Sequence, residues 1–249
     1  MKIALLLTGQ LRTINLVKYL YLYGIVDKYD TDIFMSINAD NSQAESVNDI
    51  INFFQPKRHF VMTSFDEILP KRYFKKYNQM YQQYFIVDKA YQLVKEYINE
   101  TGTNYDVVTR LRLDQFLYAE NLDDIYPKLD KKECGDIIYN DHNISLFENE
   151  IKDCKIPFYH VLNREIYVLG YGKYDHFDYV NDQFFYHDST LIDTMLLYYK
   201  NLNRLLDIAI NQEGNKGRCL YEHIFNIFLR ENGLIVKNAN LVSHFIRIL

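Results

Sequence analysis

The segment KIALLLTGQLRT, close to the start of the chain, constrains the fold more than any other. Its residues 3–7 are apolar without interruption, and the run stops at Thr8-Gly9. A strand that alternates apolar and polar residues can leave one face in water, whereas a strand apolar on both faces must be covered on both. A sheet built around such a strand needs helices on each side, which is the layout of α/β proteins.

The remaining patterns agree with that layout. A helix is predicted over 12–28, then a second strand over 32–38 (DIFMSIN). A polar stretch, ADNSQ, leads to a short helix, and RHFVMT over 58–63 reads as a third strand. Between residues 79 and 99 apolar side chains recur at Tyr84, Val87, Tyr91, Val94 and Ile98. Those spacings of three and four lay one face of a long helix on a sheet, and Thr101-Gly102 ends it. A further strand follows over 105–111. The second half is less regular: short strands over 136–140 and 164–169, then a turn-rich aromatic segment over 170–188. A helix over 189–207 is capped by Asp188 or Ser189, another over 216–231 ends at Asn232-Gly233, and strands close the chain over 234–237 and 241–248. The expected fold is a single α/β domain, a mostly parallel central sheet flanked by helices with a mixed C-terminal half.

Composition narrows the function by exclusion. The net charge of −5 supplies no basic face for nucleic acid. Cys134, Cys154 and Cys219 are widely spaced and form neither CxxC nor metal-ligand spacing, which suits a reducing compartment such as the cytoplasm. The first residues lack a cleavable leader's small-residue site, and no apolar run reaches the length of about 18 residues that suggests a membrane span. The 23 tyrosines and 16 phenylalanines, with abundant Asn, Ile and Lys, point to an AT-rich coding genome, viral or bacterial.

Ligands of open α/β sheets sit beyond the carboxyl ends of the strands, and three polar groups fall at such places. After the first strand, Gly9 allows close backbone approach, Gln10 can read a base or ribose, and Arg12 can meet phosphate; the plain alternative is a turn with a solvated arginine. Neither GxGxxG nor GxxxxGK[ST] is present. In YDVVTRLRLDQF, strand periodicity would align Arg110, Arg112 and Asp114 on one face. That row fits a diphosphate with a bridging divalent cation, or else an internal ion-pair ladder. In VNDQFF, residues Asn181, Asp182 and Gln183 sit among aromatics, suited to sugar hydroxyls or to an Asx-turn. Glu222-His223 on a helix and His244 on the last strand are further candidates, as are Asp175, His176 and Asp178; a lone histidine on such elements is more often packing or surface.

Taken in order, LLLTGQLRT, DIFMSIN, YDVVTRLRLDQF, VNDQFFYHDSTLID and YEHIFNIFLRENGLIV resemble the small nucleotide-sugar glycosyltransferases of GT-A fold, bacterial or from large DNA viruses. The resemblance implies a nucleotide-sugar-binding half over 1–118 and an acceptor-binding half over 119–249. Gly9, Gln10 and Arg12 would contact the donor nucleotide, with Arg110 and Arg112 on the diphosphate. Asp114 would stand for the last aspartate of the family's DxD metal motif, its first position here being Arg112, and His244 loosely matches a late metal-binding histidine. Mn²⁺ or Mg²⁺ would assist, Asp182 would be the base, and Glu222 a second carboxylate. Such an enzyme would transfer sugar from a nucleoside-diphosphate sugar to a glycan or other hydroxyl acceptor, in the cytoplasm of the bacterium or of a virus's host. The missing first aspartate leaves open a catalytically silent carbohydrate-binding or scaffold protein of the same shape.

Overall fold

The computed structural model describes residues 1–11, 13–39, 47–63, 74–118, 126–132, 136–152, 154–174, 177–213 and 220–247. Arg12, Cys134, Asp175, His176, Cys219, most of the ADNSQ stretch and the start of the helix expected from residue 216 lie outside them.

Strand β1 (Lys2–Gln10) lies inside a seven-stranded sheet, next to its central strand. It pairs in parallel with β2 (Asp30–Asn38) on one side and β4 (Val107–Arg112) on the other, and β2 carries β3 (Arg58–Met62), also parallel. The other edge reverses direction. Strand β10 (Phe185–His187) runs antiparallel to β4 and to β7 (Glu165–Val168), and β11 (Ile235–Asn238) lies parallel to β7. A smaller sheet joins β5 (Gln115–Tyr118), β12 (Val242–Arg247) and β6 (Ile137–Ile138), and β8 (Tyr171–Tyr174) and β9 (Phe177–Val180) make a hairpin.

Alternate residues of β1 feed two separate cores, as the doubly apolar run requires. Ile3, Leu5 and Leu7 pack with α1 (Ile14–Tyr21), α2 (Val47–Phe54) and α4 (Asp141–Glu150). Ala4 and Leu6 face α3 (Phe74–Thr101), α5 (Ile192–Lys200), α6 (Leu202–Glu213) and α7 (Leu220–Glu231). Tyr84, Val87, Tyr91 and Val94 of the apolar stripe on α3 belong to this second core, with Ile98 packed against it. No described helix is long and apolar enough to cross a membrane.

Three expectations are corrected. The aromatic stretch 170–188 is not a turn-rich connection: it holds the β8–β9 hairpin and then β10, which fills the gap between β4 and β7. The helix expected over 189–207 is two helices. Asn201 leaves helical geometry at φ −95°, ψ 2°, its side-chain amide donates to Leu197 O, and its own carbonyl accepts from Leu205 N at the start of α6. A side chain that bonds backbone locally competes with helix continuation in this way. Finally, β4 stops at Arg112, so Asp114 lies in a turn and does not extend the strand's face.

Candidate functional site

The carboxyl ends of β1 and β4 lie side by side, with Thr8 opposite Arg112. From there the two segments that follow these strands are stitched together. Leu113 N donates to Thr8 O at 3.1 Å, Thr13 Oγ1 donates to Leu113 O at 3.4 Å, and Thr8 Oγ1 donates to Leu111 O at 3.4 Å. Gly9 follows with φ +122°, a conformation that side-chain-bearing residues rarely adopt, and its α-carbon faces the backbone of Leu113. Below the turn, the hydroxyl of Tyr21, fully buried on α1, lies 2.6 Å from Arg112 O and 2.5 Å from Gln115 O. Burial, then the charge of Asp114, holds this phenol far above its ordinary pKa, so it remains a donor.

On this platform Arg112 and Asp114 form a two-pronged ion pair: Nε to Oδ1 and Nη2 to Oδ2, both 2.8 Å. Burial acts to lower the Arg112 pKa, but the charge and hydrogen bonds of Asp114, with smaller help from Asp182 and Tyr21, raise it by more. Of the two alternatives for these charges, mutual pairing is what the side chains do in this structure. The turn does not offer a preformed cation site: both Asp114 oxygens accept from Arg112, and no group of three or more His, Cys, Asp or Glu suited to a metal exists among the described residues. The strand register sets His244 opposite Phe116 on the neighbouring strand, two residues beyond Asp114.

Arg110 does not reach the edge. It is 2% exposed, donates from Nε to Thr8 Oγ1 at 3.1 Å and from Nη1 to the carbonyl of Asp182, and lies 5.9 Å from the centre of the Phe185 ring. Burial pulls its pKa down to about 10, with Asp182 opposing. The expectation that it contacts diphosphate is therefore corrected: its role in this structure is to anchor the backbone of the 181–184 loop.

That loop brings Asp182 to the site. Because β10 is antiparallel to β4, with Phe185 opposite Arg110, the residues before Phe185 lie beside the carboxyl end of β4. Asn181 Oδ1 accepts from Gln183 N at 2.9 Å, so the Asx-turn is present as well. Asp182 is 3% exposed, and its Oδ2 accepts from Tyr84 OH at 2.8 Å and from Gln83 Nε2 at 2.9 Å. Tyr84 OH also lies 3.2 Å from Tyr221 O, which brings the first turn of α7 to the same place. Glu222, next in that turn, has its carboxyl pKa raised by burial and by the charge of Asp182, with Arg112 acting against them. Its neighbour His223 points elsewhere, 3.1 Å from Gln212 Oε1.

One residue closes the arrangement. Gln83 on α3 accepts from Arg112 Nη1 at 3.4 Å through Oε1 while its Nε2 holds Asp182. Asp182, Gln83, Arg112 and Asp114 thus form one unbroken chain of side-chain contacts. Nearby, Gln115 Nε2 donates to Gln183 Oε1 at 3.3 Å, whereas the amide oxygens of Gln115 and Gln10 are buried with no hydrogen-bond partner among the described residues. Of the residues singled out in the sequence, Gly9, Gln10, Arg112, Asp114, Asp182 and Glu222 come to this edge, and Arg110 lies beneath it. Tyr21, Gln83, Tyr84 and Gln115 were not foreseen. A signal existed for Tyr84: a tyrosine inside a buried helical stripe needs a partner for its hydroxyl.

No family model matches the chain, and no curated protein sequence does. Among solved structures, it is similar to a glycosyltransferase involved in the glycosylation of the major capsid of PBCV-1. The identity is 10%, covering 96% of this chain and 82% of that one, with a TM-score of 0.38. It is also similar to the apo form of the glycosyltransferase GlyE of Streptococcus pneumoniae TIGR4, at 12% identity and TM-score 0.41, over 95% of this chain and 45% of that one. The PaToxG glycosyltransferase aligns at 13% identity and TM-score 0.34, over 93% of this chain and 69% of its own length. Likeness of this degree is too loose to carry an activity across.

Proposed function

We propose that the protein is a glycosyltransferase of GT-A type that moves a sugar from a nucleoside diphosphate to a hydroxyl acceptor at the shared edge of β1 and β4. The observation that carries this reading is the continuous Asp182–Gln83–Arg112–Asp114 chain at the carboxyl ends of parallel strands, with Glu222 beside it. It sets a fixed cation and a carboxylate within one site, the two charges that such a transfer needs at opposite ends of the breaking and forming bonds.

In the reaction, the acceptor oxygen attacks the anomeric carbon as the bond from that carbon to the phosphate oxygen breaks. The electron pair leaves with the diphosphate, and the acceptor's proton passes to Asp182. Arg112 offsets the charge that grows on the diphosphate, which stabilises the transition state more than the ground state. Asp182 suits the proton step because Tyr84 and Gln83 both hold Oδ2, leaving Oδ1 without a hydrogen bond among the described residues. The unpaired amide oxygens of Gln10 and Gln115 are acceptors for ribose, base or sugar donors, and satisfying a buried acceptor of this kind recovers about 1–3 kcal/mol. Gly9 lets a ligand approach the backbone closely. Attack opposite the leaving group gives an inverted anomer.

The test is a thermal-shift panel of UDP, GDP, TDP and CMP and their sugars, each with and without Mn²⁺ or Mg²⁺, followed by transfer assays on the ligand that stabilises the protein. Stabilisation that Arg112→Ala abolishes, and turnover that Asp182→Asn lowers by about 10²–10⁴-fold to a residual rate, are expected. A flat panel removes the reading, and binding without hydrolysis or transfer turns it into a carbohydrate- or nucleotide-binding protein. A requirement for the cation would assign Asp114 to it at the expense of its pairing with Arg112.

A further inference from the structure

Most of the polar residues at the strand ends belong to strands or to loops beside them. Gln83 does not: it lies on α3, about 30 residues of chain ahead of the Arg112 turn and roughly 100 ahead of Asp182 by simple numbering, the reach that a helix packed across a sheet provides. It touches both partners at once, and a side-chain amide suits this without carrying charge, since one end accepts and the other donates. Its Oε1 takes Arg112 Nη1 and its Nε2 gives to Asp182 Oδ2. A carboxylate in its place would repel Asp182, and an ammonium would repel Arg112. Tyr84, the next residue on α3, supplies the second donor to the same Asp182 oxygen. The helix therefore fixes the rotation of the Asp182 carboxylate from outside the loop that carries it, while Arg110 fixes that loop's backbone from beneath. Arg112 is held independently by both oxygens of Asp114, so the Gln83 contact is the lesser of its attachments.

We propose that Gln83 is a positioning residue: its amide orients the Asp182 carboxylate relative to Arg112, so that the acceptor end and the diphosphate end of the site are set as one unit. The inference rests on the glycosyltransferase reading above and deepens it. Since Arg112 keeps Asp114 when Gln83 is lost, donor binding should persist while the proton-accepting step suffers. Since Gln83 acts through Asp182, its loss should matter little once Asp182 is gone.

The experiment is a double-mutant cycle on the full chain with Gln83→Met, Asp182→Asn and the double variant. Each is assayed with the nucleotide sugar that the wild type turns over, drawn from a panel of UDP-, GDP- and TDP-hexoses, and each is checked for folding by circular dichroism. Gln83 is only half-buried, so Gln83→Met is expected to fold. Expected for Gln83→Met is a fall in kcat of about tenfold with donor KM unchanged within about threefold, and a double variant no slower than Asp182→Asn alone. Additive losses, or a change confined to KM, overturn the positioning role while leaving the transferase reading in place. A wild type that neither binds nor cleaves any donor removes both readings together. Should Gln83→Met fold poorly, Gln83→Glu serves in the same cycle: it keeps the length and an acceptor for Arg112 but presents a like charge to Asp182, and unchanged kcat there is equally fatal.

Discussion

Replacing Tyr21 by Phe removes one oxygen atom from beneath the Arg112–Gln115 turn and little else. The ring is fully buried in the core shared by α1 and β1, and Phe fills the same volume. What is lost is a hydroxyl lying 2.6 Å from Arg112 O and 2.5 Å from Gln115 O. A single proton serves both carbonyls, so the loss is closer to one strong hydrogen bond than to two. Leaving a buried acceptor without its donor costs about 1–3 kcal/mol. For a chain of this length each kcal/mol moves the melting temperature by about 2–4 °C, which sets the expected fall at roughly 2–12 °C. Burial first, and the charge of Asp114 second, keep the phenol protonated well beyond its ordinary range, so the deficit should be constant across about pH 5 to 9. Urea or thermal unfolding of the two proteins measures it. The same loosening should weaken binding of the stabilising nucleoside diphosphate, read by calorimetry, because the turn that presents Arg112 is no longer tied down. If Tyr21→Phe melts with the wild type and binds as tightly, the hydroxyl does not hold the turn and the account of a preorganised platform is wrong.

Two further outcomes follow from the same edge. Arg110→Met relieves a buried cation whose pKa of about 10 against 12.5 corresponds to about 3 kcal/mol. It also orphans the Asp182 carbonyl and one contact of Thr8 at about 1–3 kcal/mol each. Unfolding free energy should therefore change by no more than about 3 kcal/mol while turnover falls sharply, and destabilisation beyond about 5 kcal/mol would show that the cation itself is strongly paired. Glu222→Gln tests the second carboxylate. Burial, then Asp182, raise the Glu222 pKa above 4.5, so the folded state binds its proton more tightly than the unfolded chain. The associated stability is complete below the unfolded pKa and is lost as pH rises through the folded one. The glutamine variant should accordingly be the more stable protein at neutral pH, with a flatter denaturation midpoint between about pH 4 and 8, and parallel profiles would refute the assignment.

The strands were legible because their signals are local. An apolar run such as residues 3–7 fixes burial on both faces whatever it packs against, and the spacing from Tyr84 to Ile98 defines a helix face by itself. Strand-end logic then placed Gly9, Arg112 and Asp114 at the carboxyl ends of β1 and β4, where the structure also has them. It erred on Arg110, because the same two-residue period that aligned it with Arg112 says nothing about depth, and at Arg110 the neighbouring strand β10 covers the side chain. Strand β10 itself was missed: at three residues, among closely spaced aromatics, it has too few positions to show a period. Gln83 and Tyr21 were missed for a different reason. Their meaning depends on partners far away in the chain, and nothing near either residue announces a polar contact.

The reversal of direction at β10 explains why the site forms where it does. In a sheet of parallel strands, every carboxyl end faces the same way, and the residues entering a strand lie at the opposite edge. An antiparallel strand inserted beside β4 inverts that relation. Phe185 sits opposite Arg110, and His187 opposite Val108, so the chain approaches β10 from the carboxyl edge of β4. A loop that would otherwise lie at the far side of the sheet is delivered against Arg112. The cost is that its backbone must be held inside the protein, where polar groups need partners; Arg110 answers this by donating to the Asp182 carbonyl. With the backbone held by β4 and the carboxylate held by Gln83 and Tyr84 of α3, Asp182 has two independent supports. Arg110 and Gln83 are therefore expected to fail differently, the first by displacing the loop and the second by releasing the side chain alone.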